Sequence, residues 1–209
     1  MAKLMYLEAS PRKERSSSIA VAQEFLKSYA AAHPGDAIET VDLWSFPLPE
    51  FDGAAINAKY NVMHGLPHSA AEEVAWKEVR AVFTHFSAAD KYVFSLPMWN
   101  FGIPYKLKHF FDVIVQPGLA FNFSPETGYT GLVTNKPAAL IYARGGEYSS
   151  NAASKAADLQ IAYMELILGF IGFTQFHSIV VEPTLSAPEQ SKATVAAAKA
   201  QAARLAAEF

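Results

Sequence analysis

The chain has 209 residues, 51% hydrophobic and 18% charged, a balance that excludes a disordered segment and suits one α/β domain with a substantial core. A net charge of −3 leaves no basic footprint for nucleic acid. The absence of cysteine excludes a disulfide scaffold, thiol catalysis and thiolate-bound metal.

Met1-Ala-Lys3 leads directly into a strand-like run, Lys3 to Glu8, with no basic region, apolar segment and cleavage site in succession. No signal peptide and a cytoplasmic location are therefore expected. After Ser10-Pro-Arg-Lys-Glu-Arg-Ser-Ser-Ser18, a helix beginning near Ser17 carries the apolar stripe Ile19, Ala22, Phe25, Leu26 and Tyr29 and stops at His33-Pro-Gly-Asp36. A second strand spans Ala37 to Leu43. Pro47 to His68 is rich in Pro, Gly and Asn without a clear period and reads as a long loop, of the kind that is often functional. A helix over Ala70 to Phe86 places Val74, Val79, Val82 and Phe83 inward.

The third strand, Lys91 to Leu96, stops at Pro97, and Pro104 opens a helix with Leu107, Phe110, Phe111 and Ile114 at helical spacing. Phe121 to Leu132 reads as a hairpin-like excursion with Gly128 and Gly131 as turn residues. A fourth strand covers Ala138 to Tyr142, followed by a helix from about Ser154 to Phe170. The apolar stretch near Ile167 to Phe173 is far short of the roughly 20 residues of a membrane span, so no membrane association is expected. The fifth strand is Gln175 to Val181. Ser186-Ala-Pro-Glu189 reads as a capping box for a last helix with the stripe Val195, Ala198, Ala202, Leu205 and Phe209. Strands alternating with helices imply a single α/β domain over residues 1–209. The expected sheet is doubly wound, five-stranded and parallel, in order 2-1-3-4-5, with helices on both faces.

Three loops at strand carboxyl ends hold the candidate chemistry. Ser10 and Ser16 to Ser18 combine hydroxyls with a helix amino terminus, an anion site to which Arg12, Lys13 and Arg15 add positive charge. Neither a phosphate-binding P-loop nor a dinucleotide fingerprint is present, and serines also cap helices without binding anything. Ser95-Leu-Pro-Met-Trp-Asn-Phe-Gly-Ile-Pro104 presents apolar and aromatic groups beside backbone amides, suited to a flat ring with a polar edge. Arg144-Gly-Gly146 offers bare backbone donors, or simply a tight turn. One phosphate site, one apolar platform and one set of donors match the parts of a flavin mononucleotide. His64 and His68 stand four apart, but Gly65 and Pro67 make a helix unfavourable there, and metal binding is not expected. No Gly-x-Ser-x-Gly elbow anchors a hydrolase triad.

Ser10 with Ser16-Ser-Ser18, the Pro97 to Lys108 run, Arg144-Gly-Gly146, Thr130-Gly-Leu-Val133 and Leu168-Gly-Phe-Ile-Gly172 together resemble the FMN-dependent NADH-azoreductases, a flavodoxin-like quinone reductase family. Trp99 stands where Tyr is usual in that family, and Ala143 where Ser is common. The resemblance implies FMN held by Ser10, Ser16, Ser17, Ser18, Pro97, Met98, Trp99, Asn100, Phe101, Ala143, Arg144, Gly145 and Gly146, with Phe121, Phe123 and Phe170 around a substrate pocket. It implies NADH or NADPH as donor, a quinone or azo compound as acceptor, and ping-pong hydride transfer through flavin N5 with no catalytic side chain. It also implies a homodimer with the flavins at the interface. An electron-carrier flavodoxin, or another NAD(P)H flavin reductase, is the alternative, though such carriers are usually shorter and strongly acidic.

Overall fold

The computed structural model describes residues 1–209. In chain order the elements are β1 (Lys3–Glu8), α1 (Ser17–Ala32), β2 (Ala37–Asp42), α2 (Gly53–His64), α3 (Ala70–Ser87), β3 (Lys91–Pro97) and α4 (Tyr105–Ile114). They continue with β4 (Phe121–Ser124), β5 (Gly128–Gly131), β6 (Pro137–Ala143), α5 (Ala152–Ala156), α6 (Leu159–Ile171), β7 (Gln175–Val181) and α7 (Pro188–Glu208). β1, β3 and β6 are almost entirely buried, which is why they read as continuous apolar runs rather than alternations.

All five strands of the main sheet are parallel, in spatial order β2-β1-β3-β6-β7. This is the expected flavodoxin-like order once the β4–β5 hairpin is set aside. From β1 the chain moves outward to β2 and then crosses to β3 on the other side, so the strand order reverses between β1 and β3. α1 and α7 cover one face, where Val21, Ala22 and Phe25 meet Ala198, Ala202 and Ala206 over Leu4, Tyr6, Val93 and Ile141. α3, α4 and α6 cover the other, burying Val79, Phe86, Phe110, Phe111, Met164 and Leu168 against Met5, Leu7, Phe94 and Leu140. No helix is long and apolar enough to cross a membrane.

Several expectations are corrected. The Pro47 to His68 segment is not a loop throughout, because it contains α2. Asp52 caps that helix by accepting from the Ala54 and Ala55 amides, and Gly65 closes it with φ +65°. Only Ala55 and Ala58 are buried in α2, while Ile56, Tyr60, Val62 and Met63 are exposed, so no period pointing at the core betrays the helix. His64 lies in its last turn, and the His68 ring contacts the Ala58 carbonyl at 3.0 Å.

The helix expected from Ser154 to Phe170 is two helices. Asp158 starts the second by accepting from the Gln160 and Ile161 amides. Val74 is 60% exposed rather than inward, since the buried stripe of α3 runs through Trp76, Val79, Val82 and Phe86. The capping box at Ser186 does not form. Pro188 occupies the first turn of α7 and makes Ala187 the cap, leaving the Ser186 hydroxyl buried without a partner. A capping box does form at Ser69 and Glu72, ahead of α3.

Gly128 turns the hairpin with φ +69°, but Gly131 is not a turn residue. A Cβ there would stand 2.4 Å from the Gly172 nitrogen, so the backbones of β5 and the α6 terminus touch directly. Gly131→Ala is expected to lower the urea-unfolding free energy at the upper end of the roughly 1–3 kcal/mol typical of overpacking. Chemical denaturation of both proteins checks this, and an unchanged midpoint would contradict the close approach.

Candidate functional site

The carboxyl ends of β1, β3 and β6 open onto one cleft at the reversal of strand order, where open α/β sheets hold their ligands. Its walls bring together eight of the expected residues: Ser10, Ser16, Ser17, Pro97, Met98, Trp99, Ala143 and Gly145. Arg12, Thr184 and Leu185 complete the lining; the latter two follow β7, and no motif in that turn marked them in advance.

Behind β1 the loop descends into α1 with three buried hydroxyls, on Ser10, Ser16 and Ser18. Ser16 caps α1, accepting from the Ile19 amide at 3.4 Å, and its Oγ lies 3.1 Å from Ser18 Oγ. The Ser17 and Ser18 N–H groups find no acceptor within the protein. Such orphan donors at a helix amino terminus, with the dipole's positive end, are a ready anion cradle.

The charge on this loop is divided differently than expected. Arg12 and Arg15 are exposed and unpaired, whereas Lys13 is neutralised by Glu8 at 2.7 Å and Asp42 at 2.5 Å. Burial pushes the Lys13 ammonium down, but Asp42 and Glu8 outweigh it and hold the group above its ordinary value. That clamp keeps Lys13 at φ +48°, a conformation costing a non-glycine residue about 1–3 kcal/mol, and so anchors the loop to the ends of β1 and β2. Beneath it, Tyr6 Oη sits 2.7 Å from Ser95 Oγ, and burial raises the Tyr6 phenol far above its usual range.

Behind β3, Trp99 and Gly102 exchange both backbone hydrogen bonds, at 3.0 and 2.9 Å, closing a tight turn. Its two central residues are Asn100 and Phe101, at φ +48° and +69°. A phenylalanine in the left-handed region is strained, and here 51% of it remains exposed. The result is a rigid turn whose Asn100 and Phe101 N–H groups are unclaimed. Trp99 also meets Trp44 at 5.9 Å and Tyr105 at 6.2 Å, an aromatic wall not legible in the sequence because Trp44 lies beyond β2.

Behind β6, the Gly145, Gly146 and Glu147 N–H groups are likewise unclaimed, but that of Arg144 donates to the Val181 carbonyl at 3.0 Å. Arg144 was expected to contribute a backbone donor and does not. Its side chain is instead buried among acids. Nη2 lies 2.7 Å from Asp158, Nη1 3.2 Å from Glu182, and Nε donates to Gln160 at 3.2 Å. Burial alone would raise the Glu182 carboxyl, but hydrogen bonds from Ser149 and Tyr148 and the Arg144 charge hold it below the ordinary value.

Phe121, Phe123 and Phe170 are brought together with Tyr129, with Phe121 and Phe170 rings 4.8 Å apart, but not at this cleft. Phe170 stands eleven positions beyond Leu159 on α6, so at about 1.5 Å per residue it lies about 16 Å along the helix from the end that meets Arg144. Phe121, Phe123 and Tyr129 instead face Tyr60, Val62 and Met63 of α2 across a separate cavity.

Asp42 supplies a pH test of the clamp. Burial would raise its carboxyl, yet Lys13, the Trp44 amide and Ser45 outweigh that and lower it. Its stabilising contribution is therefore complete above the unfolded carboxylate value and lost as pH falls through the folded one. Asp42→Asn is expected to reduce the neutral-pH urea midpoint and to flatten its decline between neutral and about pH 3, measured against wild type. Parallel declines would rule the clamp out.

The flavodoxin-like fold family matches residues 2–206 of this chain. An FMN-dependent NADH:quinone oxidoreductase of Desulfotalea psychrophila is 53% identical over 209 residues, covering 100% of this chain and 98% of that protein. The azoreductase of Bacillus anthracis str. Sterne superposes with a TM-score of 0.91 at 31% identity, with both chains fully covered. The FMN-dependent NADH-azoreductase of Bacillus anthracis str. Ames Ancestor, solved in complex with FMN, gives 0.86 at 26% identity, over 99% of this chain and 100% of that one. With strand order, cleft position and full-length similarity in agreement, the chain belongs to the flavodoxin-like fold family and is related along its whole length to that family's oxidoreductases.

Proposed function

We propose that this protein is an FMN-dependent NADH:quinone oxidoreductase that also reduces azo compounds. The observation that supports this best is the convergence of three loops with unclaimed backbone donors on one cleft at the switch in strand order. Ser10, Ser16, Ser17 and Ser18 would hold the phosphate, with Arg12 adding charge at the rim. Pro97, Met98 and Trp99 would form the apolar wall for the ring, and Asn100 and Phe101 would present their amides beside it. Ala143, Gly145 and Gly146 would line the ring's polar end, where preorganised donors stabilise the negative charge that reduction builds. Arg144 would act from beneath, holding that loop in place. When bound, FMN would supply two-electron redox chemistry between NADH or NADPH and the acceptor, in a ping-pong order. The chain's own residues then bind, orient and exclude water, and none need act as a nucleophile.

The experiment is an FMN titration of the wild type and of Ser16→Ala/Ser18→Ala, with initial rates against NADH and a quinone. Each hydrogen bond to a charged phosphate is worth about 1.5–3 kcal/mol, so the double variant should bind FMN at least about tenfold more weakly. Loss of the Ser16 cap should cost the fold only about 1 kcal/mol. The rate plots should be parallel. Equal FMN affinities would remove the phosphate assignment, and intersecting lines would remove the ping-pong cycle.

The same reading includes a homodimer. Tyr60, Val62 and Met63 of α2 and Phe123 and Tyr129 of the hairpin leave large apolar side chains exposed around one cavity. Surfaces of this kind mark interaction sites. Pairing two copies through them would cover this cavity, which lies apart from the chain's own cleft. Light scattering at micromolar concentration should give twice the chain mass, and Tyr60→Asp with Met63→Asp should halve it. A monomeric wild type with full activity would contradict the dimer.

A further inference from the structure

The loop after β6 divides its amides unusually. The N–H groups of Gly145, Gly146 and Glu147 are free, and those on either side are taken. The segment after β7 does nearly all of the fastening. Glu182 Oε2 accepts from Tyr148 and Oε1 from Ser149, both at 2.9 Å. Thr184 N–H and Oγ1 donate to the Arg144 carbonyl at 2.9 and 2.8 Å, and Leu185 N–H to the Gly145 carbonyl at 3.0 Å. The loop is thus pinned at both ends, and the three free donors hang between the pins.

Glu182 could have been no more than a counter-ion for Arg144. The distances argue otherwise. Asp158 stands closer to the guanidinium, at 2.7 Å against 3.2 Å, while the shorter contacts of Glu182 are with the two amides. A carboxylate spanning two successive N–H groups, itself only 8% exposed, fixes the peptide planes just beyond the free donors. The arrangement resembles the way ligand-holding groups are themselves oriented by an outer partner.

We infer that Glu182 is a positioning residue: it aims the Gly145, Gly146 and Glu147 amides at the polar edge of the cofactor and thereby sets the affinity and reduction potential without touching the ring. The inference rests on the reading of the cleft as an FMN site. Reduction places negative charge at that edge, so a loosened loop weakens binding of the reduced form more than of the oxidised form, and the potential falls.

The test uses FMN-loaded wild type, Glu182→Ala and Glu182→Gln, measuring FMN affinity, midpoint potential by spectroelectrochemistry, and amide hydrogen exchange over residues 145–149. Glu182→Ala should bind FMN at least tenfold more weakly and exchange the Tyr148 and Ser149 amides faster. A further tenfold loss confined to the reduced form would move the two-electron potential about 30 mV more negative. Glu182→Gln keeps the shape and one strong acceptor and should fall between the two. If Glu182→Ala fails to fold, Glu182→Gln carries the test alone. Unchanged potential and exchange in a folded variant would overturn the positioning role while leaving the FMN reading intact. A wild type that binds no FMN would overturn both.

Discussion

The buried Arg144 guanidinium is the constraint on which the upper end of this molecule depends. Only 1% exposed, it holds a full charge where an unpaired ion is costly by several kcal/mol, so the surrounding chain must supply acids and acceptors. Asp158 and Gln160 come from the start of α6, and Glu182 from the end of β7. One side chain therefore joins β6, α6 and β7 at the rim of the sheet. It also explains the break between α5 and α6. Asp158 caps α6 with one carboxylate oxygen and pairs with Arg144 through the other, so the chain cannot run as one helix through that point.

A similar economy governs the first loop. Glu8, Lys13 and Asp42 join the ends of β1 and β2 through a residue held at positive φ, which leaves Arg12 and Arg15 as the unpaired positive charge. Around the cleft, the backbone groups used in structure and the groups left free alternate within a few residues. The unclaimed donors at Ser17–Ser18, Asn100–Phe101 and Gly145–Glu147 leave three stretches of backbone N–H open to the acceptors of a ligand. The strained Phe101 turn belongs with them, since strain of this kind persists only where the surroundings over-determine it.

The two ends of the sheet are built differently. The carboxyl ends of the strands make the cleft, and the hairpin lies toward the amino ends, with Gly131 against Gly172 only a few residues before β7 begins. Parallel connections force this separation. Each helix must return the chain the full length of the sheet before the next strand can start. Residues from one end of α6 and from the other thus cannot serve one small ligand within a single copy.

The amino-acid sequence by itself determined the sheet, because fully buried parallel strands must be continuous apolar runs, and Lys91 to Leu96 or Ala138 to Tyr142 permit nothing else. It also determined the three loops, through Pro97, Pro104, the serines and Gly145-Gly146, whose backbone consequences are local. α2 was hidden because its buried face is two alanines and its large apolar residues point outward. The hydrogen bonds that divide the amides of residues 144–149 join groups more than thirty positions apart. No local spacing encodes such contacts. Only packing β7 beside β6 brings Glu182 to Tyr148 and Ser149, and only the length of α6 sets Phe170 apart from Arg144.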